Sequence, residues 1–204
     1  MSINIISANR NKMPASLLRG MYHLRYEIFN QRLHWDVEDF GELEIDQFDY
    51  RNPNYIVAKN PIEEVIGCWR LMPTTEKYML EEVFDFMLGD YPLPKDKKIW
   101  ELSRFAVKDN LTNGHILSEA TVHMINEIID FAFKKDISAY LAVTSAGVER
   151  LMKLAGIPMQ RIGLKKPINI GNVKSVLCLI PVNEQFIKAA KNLLSEYSLT
   201  NIAA

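Results

Sequence analysis

Apolar residues near the start of the chain recur every three or four positions, at Leu17, Leu18, Met21, Leu24, Ile28 and Phe29. That spacing makes one apolar stripe and predicts a helix from about Pro14 to Gln31. From Leu33 to Asn54 the pattern dissolves into charged and aromatic residues, which predicts a long loop. Loops of this length in compact domains are usually functional or mobile. Strand patterns follow at Tyr55–Lys59 and Val65–Met72, joined by the turn-like stretch NPIEE, and a third at Trp100–Lys108. Ile116–Lys134 reads as a helix with Ile125, Ile128, Ile129, Ala132 and Phe133 on or near one face. Ala139–Thr144 then reads as a buried strand, and Val148–Ala155 as a short helix ending at Gly156. Ser175–Val182 predicts another strand and Glu184–Leu194 a last helix. The strand–helix–strand crossover from Trp100 to Thr144 implies a parallel pair with a right-handed connection. The expected fold is α/β, one mixed sheet with helices on both faces.

A length of 204 residues suits one domain, 1–204, with a sizeable core. At 48% hydrophobic and 24% charged residues, disorder is not the default. There is no internal repeat or low-complexity tract. The opening MSINIISANRNK lacks the apolar core of a secretory signal. No apolar run approaches the roughly 18–20 residues of a membrane span. A cytoplasmic location is expected, and Cys68 and Cys178, both in apolar runs, suit buried free thiols there. Charge is uneven. Residues 1–100 carry 12 Lys/Arg against 16 Asp/Glu, and residues 101–204 carry 12 against 9. The window 149–191 holds Arg150, Lys153, Arg161, Lys165, Lys166, Lys174, Lys188 and Lys191 against Glu149 and Glu184. It is either an ordinary solvated surface or a face that attracts an acidic partner.

Several chemistries drop out. The four histidines show no pair at helical ligand spacing and neither cysteine has a close partner, so no metal is expected. No GxSxG elbow, Walker loop or GxGxxG fingerprint is present. The basic window lacks interleaved aromatics, which argues against nucleic acid. What remains is the stretch LHWDVEDFGELEIDQFDYRNPN, where Trp35, Phe40, Phe48 and Tyr50 stand among Glu44, Asp46 and Asp49. Aromatic faces beside carboxylates can seat a cation such as a sulfonium or ammonium. They can equally anchor an acidic surface loop to a core. Arg70, in VIGCWRLMPT, and Arg25, beside the first apolar stripe, must each find an acceptor. Asp46, Asp49, Glu101 or a ligand carboxylate could serve Arg70. In IWELSRFAV, strand alternation puts Glu101 and Arg104 on opposite faces. They share a site only if a bulge re-aims one of them; otherwise an ion pair at the sheet edge is the reading.

In order and spacing, these segments resemble the acyl-homoserine-lactone synthase (autoinducer synthase) family. The likeness is carried by Arg25 with Phe29, by LHW at Trp35, and by ELEIDQFD with Glu44, Asp46 and Asp49. It continues through GCWRLMPT with Arg70, VFDFML with Phe84 and WELSRFAV with Glu101 and Arg104. It covers roughly residues 20–110 with no departure among these positions and is looser beyond residue 115. The resemblance implies an acetyltransferase-like fold. It implies two substrates, S-adenosylmethionine and an acylated acyl carrier protein, and no separate cofactor. Glu101, Arg104 and Glu44 would be catalytic, with Glu101 as base to the amine, directly or through water. Arg25, Phe29, Trp35, Asp46, Asp49, Arg70 and Phe105 would bind S-adenosylmethionine, and N–H groups in the splayed Phe105–Val107 strand would hold the oxyanion. The acyl chain would lie among Met79, Phe84, Leu102, Met124, Leu141, Val143, Met152 and Leu177, with Thr144 favouring 3-oxo chains. Arg150, Lys153, Lys165 and Lys166 would dock the acidic carrier. Two alternatives stay open: an acetyltransferase using acyl-CoA, and a non-catalytic sensor of adenosyl compounds. The stretch NLTNGHILSEA, with one glycine, is poor in the glycines a pyrophosphate loop uses.

Overall fold

The structure, a computed structural model, describes residues 3–35, 37–108 and 115–200. In chain order the elements are β1 (Asn4–Asn9), α1 (Ala15–Arg25), β2 (Asn54–Lys59), β3 (Val65–Pro73), α2 (Met79–Val83) and β4 (Ile99–Val107). They continue with α3 (Glu119–Lys135), β5 (Ala139–Ser145), α4 (Ala146–Leu154), β6 (Gln160–Arg161), β7 (Ile168–Ile170), β8 (Val173–Pro181) and α5 (Glu184–Thr200). Among the described residues the strands form one mixed sheet in the order β1-β2-β3-β4-β5-β8-β6, with β7 also paired to β8. Neighbours run antiparallel except β4 and β5, the parallel pair required by the crossover through α3.

Alternation along the strands divides the core between two faces. Tyr55 and Val57 of β2 pack with Met21 and Leu24 of α1, while Ile56 and Ala58 pack with Met124, Ile125 and Ile128 of α3. Each fully buried aliphatic side chain of this kind stabilises the fold by about 1.5–3 kcal/mol. A third cluster, with Phe48, Met72, Leu80, Leu141 and Leu177, extends the α1 face. Among the described residues, no helix is long and apolar enough to cross a membrane.

The expected elements appear with shifted ends, and one is different in kind. Where the stripe predicts a helix to Gln31, α1 stops at Arg25 and the chain continues as a π-helix over Tyr26–Arg32. Its wider winding closes with Leu33 N–H donating to the Ile28 carbonyl at 3.0 Å. Spacings of three and four do not separate the two windings, and such wide turns often sit at functional sites. The edge strand β1, the short β6 and β7, and α2 carry too little periodicity to be read from sequence.

Candidate active site

The first requirement is met by a bulge. Arg70 of β3 lies opposite Ser103, and Cys68 opposite Ala106, so Trp69 alone faces both Arg104 and Phe105 of β4. Arg104 takes up the extra residue with φ of +55°. Its side chain thereby joins Glu101 and Ser103 on the α1 face, which plain alternation forbids. The Cys68 thiol, pushed up to about 12 by burial, stays protonated and donates to the Arg104 carbonyl at 3.6 Å.

On that face three arginines meet three carboxylates. Arg25, fully buried at the end of α1, donates from Nη1 and Nη2 to the two oxygens of Asp49, each at 2.9 Å, and from Nε to Glu44 Oε2. Arg70 donates from Nη1 to Asp46 Oδ1 at 2.5 Å and Asp49 Oδ1 at 3.0 Å, and from Nε to Ser103 Oγ at 3.0 Å. Arg104 donates from Nε to Glu44 Oε1 at 2.9 Å, its Nη2 lying 2.8 Å from the same oxygen and 2.9 Å from Asp46 Oδ2. Paired charges of this kind survive burial because their oxygens and N–H groups are satisfied together. Burial alone would raise the Asp49 carboxyl, but Arg25 and Arg70 outweigh it and hold the group far below the usual range. Asp46 is likewise held low, burial being outweighed by Arg70 and Arg104. The loop carrying these carboxylates is tied to α1 by Glu44 N–H donating to the Tyr22 carbonyl at 3.0 Å.

Glu101 stands apart. It is buried, and no arginine pairs with it among the described residues. The expected alternatives of an Arg104–Glu101 or Arg70–Glu101 ion pair are thus both set aside. Instead its oxygens accept the N–H groups of Met79 at 3.0 Å and Leu80 at 2.6 Å, the first turn of α2. Burial pushes its pKa above the usual value despite those N–H groups and the nearby arginines. Counting Glu101, four carboxylates face three guanidiniums, which leaves one negative charge.

Pairing between β4 and β5 stops after Glu101 and Leu141, and the strands part there. A cavity of about 740 Å³ opens in the gap. Of the residues expected around an acyl chain, Met79, Phe84, Leu102, Val143, Thr144 and Met152 line it. Met124, Leu141 and Leu177 do not. Met124 lies over the middle of the sheet, against Gly67 and Ala58, while Leu141 and Leu177 point to the α1 face and pack around Met72. Glu101, Arg104, Phe105, Phe29 and Trp35 also line the cavity, the last two stacked at 5.3 Å and 8°. The Arg104 guanidinium lies 5.4 Å from the Phe29 ring centre. Trp35 Nε1 and Asp46 Oδ2 are buried with no hydrogen-bond partner among the described residues.

The basic residues are less free than their sequence suggests. Arg150, Lys153, Lys165 and Lys166 are all exposed, but Lys153 and Arg161 both bind the buried Glu149, at 2.7 Å and at 2.6 and 2.8 Å. Arg161 first, then Lys153, lowers the Glu149 pKa. Lys165 and Lys166 lie on a loop held against the Met87 carbonyl through Leu164 N–H at 3.0 Å. Residues 110–114 of the stretch compared with a pyrophosphate loop lie outside the described residues.

Two contributors escape sequence reading. Ser103 steadies Arg70, as above. Tyr55 donates to Asp49 Oδ1 at 2.5 Å; its oxygen lies 3.4 Å from that of Tyr22, which accepts from Arg10 Nε at 3.2 Å. A tyrosine opening a buried strand was the available signal, since a buried hydroxyl needs a partner.

The autoinducer synthase family profile matches residues 9–190. An acyl-homoserine-lactone synthase of Aliivibrio fischeri is 42% identical over 193 residues, spanning 94% of this chain and all of that one. The crystal structure of the AHL synthase LasI superposes with a TM-score of 0.84 at 31% identity, over 93% of this chain and 94% of that one. The structure of TofI in a ternary complex with an inhibitor and MTA superposes at 0.79 and 28% identity, over 94% and 97%.

Proposed function

The chain belongs to the autoinducer synthase family, and on that premise we propose that it makes an acyl-homoserine lactone from S-adenosylmethionine and an acyl thioester, with acyl carrier protein as donor. The observation that carries this reading is the buried arginine–carboxylate cluster, one negative charge in excess, beside an apolar cavity where β4 and β5 part. S-adenosylmethionine bears a sulfonium, an ammonium and a carboxylate, a net charge that complements the excess. Phe29 and Trp35 pack against its sulfonium or nucleotide, with Trp35 Nε1 free to donate to an acceptor on it.

The amine must first lose a proton, since its reference pKa is about 7.7–8.0. Glu101 takes it, through a water or directly. Two of its roughly four lone-pair sites are used by α2, and the others can accept. The amine then attacks the thioester carbon, the oxyanion is held by N–H groups on the β4 edge, and the C–S bond breaks to leave an amide and a free thiol. The carboxylate next attacks the γ-carbon. The bond to the sulfonium breaks, methylthioadenosine leaves and the lactone ring closes. Arg104 and Glu44 order the site around Glu101, and Arg25 and Arg70 fix the carboxylates that face the ligand. The six-residue exposed stretch 37–42 is the mobile part of the 33–54 loop, since Glu44, Asp46 and Asp49 pin the rest. The whole is one cytoplasmic synthase domain, with the carrier docked on Arg150, Lys165 and Lys166.

The test is mass spectrometry of purified protein with S-adenosylmethionine and matched panels of carrier-protein and CoA thioesters. Lactone formed one-for-one with methylthioadenosine is expected, faster from the carrier. Equal or faster turnover from CoA overturns the donor assignment, and no lactone from either overturns the function.

A further inference from the structure

Behind the main cavity lies a second chamber of about 50 Å³. Leu102, Phe105, Val143, Thr144, Val148 and Met152 line both spaces and form the neck between them. Val148 and Met152 stand one turn apart on α4, so one helix face supplies half of the neck's width. Beyond the neck the walls are Ile125, Ile128, Ala142, Ile157, Met159 and Phe186, and all six are buried. The chamber is therefore blind and apolar. Such a space stays dry and accepts an alkyl group more readily than water.

We propose that this inner chamber is the terminal subsite for the acyl chain and sets its preferred length, with Met152 as the neck residue that controls entry. The inference rests on the synthase reading given above. At about 10–15 Å³ per water-sized occupant, the chamber holds on the order of three to five such groups, the last few carbons of a chain. A chain too short to pass the neck gains nothing from it. Each methylene that enters is worth about 10-fold or more in kcat/KM, and a chain that overfills the chamber loses it again. Methionine suits the neck because its unbranched, flexible side chain can swing aside or fill the gap.

Two substitutions push in opposite directions. Met152→Ala widens the neck and joins the chambers. Ala142→Val adds bulk to the inner wall from β5. Each protein, together with the unaltered one, is given S-adenosylmethionine and an equimolar mixture of saturated acyl thioesters differing by two carbons, and the lactones are quantified by mass spectrometry. The expected result is a product maximum moved at least two carbons longer in Met152→Ala and two carbons shorter in Ala142→Val, by about 10-fold or more in the ratio of neighbouring lengths. Loss of folding lowers all products together and cannot move the two maxima apart. An unchanged length ratio in both variants overturns the subsite while leaving the synthase intact. No lactone from the unaltered protein would instead overturn the function on which the subsite rests.

Discussion

Replacing Glu101 with glutamine tests whether this residue is a base or only a fastener for α2. The carboxylate accepts N–H groups from both Met79 and Leu80. An amide keeps one acceptor oxygen and turns an NH2 toward the other donor. One buried N–H left unsatisfied costs about 1–3 kcal/mol. For a domain of this size that lowers Tm by about 2–12 °C, at roughly 2–4 °C per kcal/mol. The chemical loss is larger, because removing a positioned base costs about 10²–10⁴-fold in rate. Burial raises the Glu101 pKa, so kcat of the unaltered enzyme should climb with pH as that carboxyl ionises, above the ordinary glutamate value of about 4.3. The variant should lack this limb. Initial rates of methylthioadenosine release at saturating substrates, measured across pH alongside thermal denaturation, give both quantities. A variant with kcat within about threefold of the unaltered enzyme and the same pH limb would refute the base and leave only the fastening role.

Arg25→Met strips Asp49 and Glu44 of a buried partner and should cost about 3–5 kcal/mol, seen as a lower urea midpoint; an unmoved midpoint contradicts the cluster's role in stability. The depressed Asp49 carboxyl stabilises the folded state above its unfolded pKa of about 3.9, and that stability drains as pH falls toward the folded value. Tm should therefore drop progressively below about pH 4, and more gently in Asp49→Asn, whose baseline is already lower. Thr144→Val should reduce the 3-oxo over unsubstituted product ratio by about 2- to 10-fold, the worth of one hydrogen bond, in a mixed-thioester assay. Arg150→Glu should raise KM for the carrier thioester and weaken its salt dependence while leaving KM for S-adenosylmethionine alone, whereas equal changes in both would point to misfolding.

Much of the fold was legible because buried strands and amphipathic helices leave periodic marks. Tyr55–Lys59, Val65–Met72 and Ala139–Thr144 sit within one or two residues of β2, β3 and β5. The π-helix was not legible, since its winding depends on where Phe29 must point rather than on which residues are apolar. The bulge was foreseen only as a condition. Nothing in WELSRFAV shows that Trp69, on another strand, faces two residues at once. The pairing of Arg25 with Asp49 and Glu44 likewise needs the loop's path in space. For the acyl chain, Leu141 and Leu177 were apolar and buried as read, yet strand parity turned them to the opposite face. Composition cannot report parity without a register.

The unequal count of charges around Glu101 bears on turnover as well as on binding. With S-adenosylmethionine in place the site is electrically neutral. Acylation removes the ammonium, and lactone closure removes the carboxylate and the sulfonium together, so both products depart uncharged. Each cycle thus returns the pocket to its uncompensated state by itself. Methylthioadenosine, though it keeps most of the nucleoside's contacts, has lost the feature that the excess carboxylate attracts, and the next cation outcompetes it. The odd carboxylate acts as a ratchet that recharges with every lactone released.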